Sequence, residues 1–165
     1  MNCPKCGSSQ LKGAGKTYHL PEDAPVPLVC TRCGWEGVLE PQEIFVFGSN
    51  REGRHGKGAA LEARQKYGAV YGQAEGLQGN SYAVVTKELR RGQPRVKLTE
   101  VAEGVERFKR FAASHPEMAF NVMKIGCGLA GFTPAEIAPL FAGCPDNVKL
   151  PPEFREVLNQ KGMKP

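Results

Sequence analysis

Two stretches of this chain each read as a strand, a glycine-rich loop and a helix start in unbroken succession, and units of that kind belong to α/β architecture. In the second, Ala119 to Ile125 is apolar and β-rich, and Gly126-Cys127-Gly128-Leu129-Ala130-Gly131-Phe132 follows. Thr133 then suits an N-cap, Pro134 the first helical position, and Glu136 the carboxylate of a capping box. Glycines between a strand and a helix let backbone N–H groups turn toward a ligand, and the helix N-terminus adds partial positive charge. This is an anion-binding device, with phosphate or diphosphate the expected anion. The same glycines also suit a tight turn that binds nothing.

The first unit starts at Ile44-Phe45-Val46-Phe47, a short strand. Gly48 to Gly58 forms its loop and carries Asn50, Arg51, Arg54, His55, Gly56 and Lys57; a helical run from Ala59 to Tyr67 closes at Gly68. Two such units predict a ligand crevice at the strand ends. Between them, Ser81 to Lys87 is another strand ending in a lysine. That lysine reads as a phosphate clamp, a nucleophile or a solvated surface residue. His55, inside the first loop, is a candidate ligand contact. Cys127, flanked by glycines, has no histidine near it in sequence and reads as a small buried residue rather than a nucleophile.

Gly56-Lys57-Gly58-Ala59, Val85-Thr86-Lys87 and Ile125-Gly126-Cys127-Gly128-Leu129, in that order, resemble the signature blocks of macrodomains. The resemblance is to the branch that holds the terminal ADP-ribose protein glycohydrolase and bacterial DNA ADP-ribosyl-glycohydrolase antitoxins. The chain is also similar to small phage-encoded macro-like proteins. The resemblance covers most of residues 43 to 150. It implies a three-layer α/β/α domain with a mixed sheet that recognises ADP-ribose or a related nucleotide. Gly56 and Gly58 would line the pocket near the distal ribose, and Gly126 to Gly131 would cradle the diphosphate. Lys87 matches the lysine that attacks the anomeric carbon in the glycohydrolase branch. One position departs from the pattern. An aspartate that serves as acid/base partner in that branch is replaced here by Ala130, which cannot transfer a proton. Glu88 and Glu136 are the nearest carboxylates in sequence; Glu136 is better explained as a cap, and Glu88 would face away from Lys87 on a continuing strand. The chain also has no obvious counterpart of the first two strands of a typical macrodomain. Hydrolysis of ADP-ribose from a modified protein or nucleic acid, and non-catalytic reading of ADP-ribose, both stay open.

The N-terminal region carries a separate device. Cys3-Pro4-Lys5-Cys6-Gly7 and Cys30-Thr31-Arg32-Cys33-Gly34 are two knuckles whose four thiolates suit tetrahedral zinc. With four cysteines, Cys3, Cys6, Cys30 and Cys33, the ion would be structural and His19 is not needed. A secreted chain with two disulfides is the alternative. Met1-Asn2-Cys3-Pro4 is not followed by an apolar core segment, and the expectation is a cytoplasmic protein. The boundary falls near Glu40-Pro41, giving a zinc ribbon over residues 1 to 40 and an α/β domain over residues 41 to 165.

Charge follows the same division. Residues 1 to 40 hold four basic and four acidic residues, so the whole net charge of +5 lies in residues 41 to 165. The basic side chains gather in the first glycine loop and in Lys87 to Lys97, with Arg90, Arg91 and Arg95. That stretch is either a solvated loop or a surface for an anionic substrate, and a nucleic-acid-binding accessory protein is the remaining reading. No apolar run is long enough to cross a membrane. Elsewhere the pattern is structural. Thr99 is expected to cap a helix with Val101, Val105, Phe108 and Phe111 or Ala112 on one face, and Pro139 to shorten the helix begun at Thr133. Asn147 to Leu150 is an edge strand, followed after Pro151-Pro152 by a terminal helix.

Overall fold

A computed structural model describes residues 5–13, 28–37, 42–89 and 96–165. The chain divides into two compact units, Met1–Pro41 and Gln42–Pro165. Cys3, His19, residues 20–27, the boundary residues Glu40 and Pro41 and the basic residues Arg90, Arg91 and Arg95 lie outside the described residues.

In the first unit β1 (Leu11–Gly13), β2 (Leu28–Cys30) and β3 (Glu36–Gly37) form an antiparallel sheet in that order. The second knuckle is the turn between β2 and β3. The Cys30 N–H donates to the Trp35 carbonyl at 2.8 Å, and the Gly34 N–H returns to the Cys30 carbonyl at 2.9 Å. Gly34 sits at φ +72°, where a Cβ would be strained, which is why glycine follows the second cysteine.

The second unit runs β4 (Gln42–Asn50), α1 (Gly58–Lys66), β5 (Gly76–Gln78), β6 (Ser81–Lys87), α2 (Leu98–Ser114), β7 (Met118–Val122), α3 (Pro134–Ile137), β8 (Val148–Lys149) and α4 (Pro152–Gln160). Its sheet has the order β5-β6-β4-β7-β8. Strands β6, β4, β7 and β8 are parallel, and β5 joins the edge antiparallel, so the sheet is mixed.

The central strand shows why the run Ile44 to Phe47 lacks polar residues. Ile44 and Val46 join one core cluster, with Val101, Val105 and Phe108 of α2, Ile137 of α3, and Phe154 and Leu158 of α4. Phe45 and Phe47 join a second cluster, with Ala60 and Ala63 of α1, Ala69 and Ala83. A strand buried on both faces needs apolar side chains at every position. Large phenylalanines against small alanines let α1 lie close to the sheet. Helices therefore cover both faces, giving the three-layer α/β/α arrangement.

Several local expectations hold. Helix α2 buries Val101, Val105, Phe108 and Ala112. Thr133 caps α3, with Glu136 completing the capping box and Pro134 in the first turn. Helix α3 stops after one turn and passes into a 3-10 turn over Ala138–Phe141, since Pro139 has no N–H to extend the α-helical ladder. Three local readings change. The N-cap of α2 is Lys97, not Thr99, because the Glu100 carboxylate accepts the Lys97 N–H at 3.2 Å and draws the helix start two residues forward. Strand β4 runs on from Phe47 to Asn50 because β6 continues beside it, whereas β7 ends at Val122. The edge strand expected over Asn147 to Leu150 is only Val148–Lys149, because Asn147 is used otherwise: its amide nitrogen lies 3.0 Å from each of the Ala112, His115 and Met118 carbonyls, tying down the end of α2.

Candidate ligand crevice and candidate metal centre

The carboxyl ends of β6, β4 and β7 lie side by side. Asn50 ends β4 and Lys87 ends β6, and the two are register partners across a β-bulge. The Arg51 N–H donates to the Lys87 carbonyl at 3.2 Å. On the other side, Gly48 packs against the loop after β7. A Cβ at Gly48 would lie 3.3 Å from the Gly126 nitrogen and 3.0 Å from the Thr86 Oγ1. The first glycine loop leads to α1 on the alanine-lined face, and the second leads to α3 on the opposite face. Adjacent parallel strands whose connections leave to opposite faces make a topological switch point, the place beyond the carboxyl ends where open α/β sheets bind their ligands.

The two loops present backbone donors. In the second, the N–H groups of Cys127, Gly131 and Phe132 are satisfied by the carbonyls of Lys124, Gly128 and Gly126. Those of Gly128, Leu129 and Ala130 meet no backbone acceptor among the described residues. Gly128, Leu129 and Gly131 are exposed, Leu129 to 61 %. In the first loop Gly56, Lys57 and Gly58 are exposed. The N-cap of α1 is Lys57, which makes no side-chain cap, so the first-turn N–H groups of that helix are left to solvent or a ligand. Helix α3 differs. It is one turn long and its N-terminus is closed by the Thr133–Glu136 capping box, so the expected dipole contribution falls to α1.

Several sequence candidates turn their side chains away from solvent. Ala130, Phe132 and His55 are 6 %, 5 % and 0 % exposed, and Gly126 is buried. Asn50 is buried and its amide is already engaged: Nδ2 donates to the Arg54 carbonyl at 2.9 Å and Oδ1 accepts the Arg54 N–H at 3.0 Å. It closes the turn at the start of the loop. Cys127 is half-buried, and desolvation pushes its thiol pKa up, against a thiolate nucleophile. The Cys144 thiol is pushed up to about 11 by burial.

Charged groups around the crevice are mostly paired. Arg51 bridges two carboxylates, with Nε 2.9 Å from Glu88 Oε2 and Nη2 2.7 Å from Glu100 Oε2. Arg54 pairs with Glu52 at 3.0 Å, and Lys124 with Glu153 at 3.1 Å. Lys87 is partly exposed, and its ammonium makes no ion pair among the described residues. The Arg51 bridge was not legible in the sequence, because its partners Glu88 and Glu100 are brought to it by the pairing of strands far apart in the chain; the Asn50 amide is spent locally, on the backbone of Arg54.

In the first unit the Sγ atoms of Cys6, Cys30 and Cys33 lie within 4.8 Å of one another and can hold a metal ion. No disulfide joins them among the described residues. The Cys6 and Cys30 sulfurs are 3.7 Å apart. Tetrahedral zinc with Zn–S bonds of about 2.3 Å sets neighbouring sulfurs about 3.8 Å apart. The donor set and its spacing therefore fit such an ion. No helix among the described residues is long and apolar enough to cross a membrane.

No protein-family model matches the chain, and no curated protein matches it. Among solved structures, the chain is similar to a protein of unknown function from Bacteroides thetaiotaomicron at 18 % identity and a TM-score of 0.47, over 77 % of this chain and 87 % of that one. A second crystal structure from the same organism is 17 % identical with a TM-score of 0.46, over 78 % and 89 % of the two chains. A macrodomain protein from Streptomyces coelicolor is 16 % identical with a TM-score of 0.43, over 78 % of this chain and 88 % of that one.

Proposed function

We propose that residues 42–165 bind ADP-ribose, or a related nucleoside diphosphate, at the carboxyl ends of β6, β4 and β7, and that the protein reads this group without hydrolysing it. One observation carries the proposal: two glycine loops on adjacent parallel strands present backbone N–H groups that meet no backbone acceptor among the described residues, at Gly128 to Ala130, and a start of α1 without a side-chain cap. Such groups suit a diphosphate, whose charge they neutralise without side-chain reorganisation. Lys87, with no ion-pair partner among the described residues, adds a cation at the end of β6. The three motif blocks that resemble macrodomains fall on these same positions.

The reader role follows from the acid–base groups. Hydrolysis by a lysine nucleophile needs a carboxylate to move a proton. Ala130 stands at that place, in the core. The neighbouring carboxylates are committed: Glu88 and Glu100 to Arg51, Glu52 to Arg54, and Glu136 to the Thr133 N–H at 2.8 Å. None is positioned on Lys87.

In the first unit we infer one structural zinc ion held by Cys6, Cys30 and Cys33, with Cys3 as fourth ligand. Zinc there ties the knuckles together and takes no part in the crevice chemistry.

Calorimetric titration with ADP-ribose, AMP and NAD tests the main reading. Selective micromolar binding, about −8 kcal/mol, is expected for ADP-ribose. Absence of heat or thermal shift, together with steeply salt-dependent binding of DNA or RNA, would replace it with a nucleic-acid-binding role. Release of ADP-ribose from a modified protein or DNA by the unaltered chain would replace the reader with a hydrolase.

A further inference from the structure

His55 is fully buried in the first glycine loop. Its Nε2 lies 3.1 Å from the Gln73 carbonyl and 3.1 Å from Gln78 Oε1. The other partners of Gln78 fix its amide orientation: Oε1 accepts the Val70 N–H at 2.7 Å, and Nε2 donates to the Gln73 carbonyl at 3.1 Å. Both atoms facing His55 Nε2 are thus acceptors, and that nitrogen must carry the ring proton. Nδ1 is then the lone-pair nitrogen. It is buried and has no hydrogen-bond partner among the described residues. The Phe47 ring meets the imidazole edge-on, with centroids 5.1 Å apart and planes at 84°.

The same loop touches the connector between α1 and β5 at the backbone. The Gly72 N–H donates to the Gly53 carbonyl at 3.0 Å. Gly53 is at φ +65°, and a Cβ there would lie 2.6 Å from the Gly72 carbonyl carbon. The approach is too close for any other residue.

We propose that His55, as the Nε2–H tautomer, is the positioning residue of the first glycine loop. It fastens residues 53 to 56 onto that connector through Gln73 and onto β5 through Gln78, and so sets where Lys57 and the first-turn N–H groups of α1 point. The ring itself touches no ligand. The proposal rests on the crevice being the nucleotide site, but the docking of the loop is a property of the ligand-free protein. An Nδ1–H ring leaves the acceptors Gln73 O and Gln78 Oε1 facing a lone pair and places a buried donor where no acceptor lies. Glutamine at this position carries a donor at the end of a side chain of similar reach; leucine carries none.

The test uses the full chain and three readings. Nitrogen-resolved NMR of the imidazole in the unaltered protein is expected to show Nε2 protonated and Nδ1 not. In His55→Leu the exchange of the Gly72 amide is expected to rise about tenfold or more, while amides of β4 and α2 keep their protection. His55→Gln is expected to restore most of that protection, and ADP-ribose affinity to follow the same order. The Nδ1–H tautomer, or Gly72 protection unchanged in His55→Leu, overturns the proposal. If the tautomer and Gly72 behave as expected but the unaltered protein binds no ADP-ribose, the crevice reading fails and the loop docking stands.

Discussion

Gly48 on the central strand lies against the backbone of Gly126, so that a Cβ on Gly48 would stand 3.3 Å from the Gly126 nitrogen. This contact joins the strand that feeds the first glycine loop to the second loop. Alanine here requires the Gly126 backbone or the Thr86 hydroxyl, 3.0 Å from the same Cβ, to give way. Valine asks for more. Gly48→Val is expected to cost about 1–3 kcal/mol of stability and to weaken ADP-ribose binding beyond that of Gly48→Ala. Denaturant unfolding and calorimetry on both variants check this; equal affinity in all three proteins would separate the contact from the site.

Lys87 makes no ion pair among the described residues, so removing its charge should leave the fold intact. Lys87→Ala is expected to weaken ADP-ribose binding about tenfold or more, as for a lost hydrogen bond to a charged group, with an unchanged melting temperature. An unchanged affinity would remove Lys87 from the site.

Ala130 is 6 % exposed and belongs to the larger core cluster. An aspartate there buries a carboxyl group, and Ala130→Asp is expected to destabilise the second unit by about 1–3 kcal/mol. No ADP-ribosyl hydrolase activity is expected in the unaltered protein. Turnover in Ala130→Asp raised about a hundredfold or more would identify the crevice as a hydrolase site lacking only its acid.

The Arg51 guanidinium beside Glu100 holds that carboxyl below the usual glutamate range. The sign of the pH effect follows from a depressed value in the folded state. The contribution is present above the ordinary glutamate range and is lost as pH falls through the depressed value. The stability gap between the unaltered protein and Arg51→Gln is therefore expected to be largest near neutrality and to close in acid. Melting temperatures of both proteins between about pH 7 and pH 3 follow it; a gap that widens in acid would contradict the pairing.

Metal analysis is expected to find one zinc per chain, and Cys30→Ser or Cys33→Ser to lower that figure sharply. Chelation should disorder the first unit while the ADP-ribose titration stays unchanged. A titration that fails after chelation would show that ADP-ribose binding depends on the metal.

Much of the fold was legible because it rests on local spacing. The Thr133-Pro134-Glu136 cap, the buried face of α2, the strand Ser81–Lys87 and the shortening at Pro139 each depend on residues within a turn or two of one another. The knuckle turn was legible for the same reason, since Cys30, Cys33 and Gly34 share one hairpin. His55 was not. In sequence it was a polar residue in a glycine loop, open to a ligand; in the fold it is buried against Gln73 and Gln78. Asn50, too, offered an amide to a ligand in sequence and spends it on the Arg54 backbone.

The sequence by itself determined the α/β class, the two glycine loops, the cysteine knuckles and the absence of a carboxylate at Ala130. These are properties of residue type and short-range order, where steric and hydrogen-bonding preferences act within a few residues. Only the tertiary structure decided that β4 lies between β6 and β7, that the two loops meet at Gly48 and Gly126, and that Arg51 takes up Glu88 and Glu100. Those outcomes depend on contacts between residues distant in sequence, and burial of both faces of one strand selects them among the many pairings that local order permits.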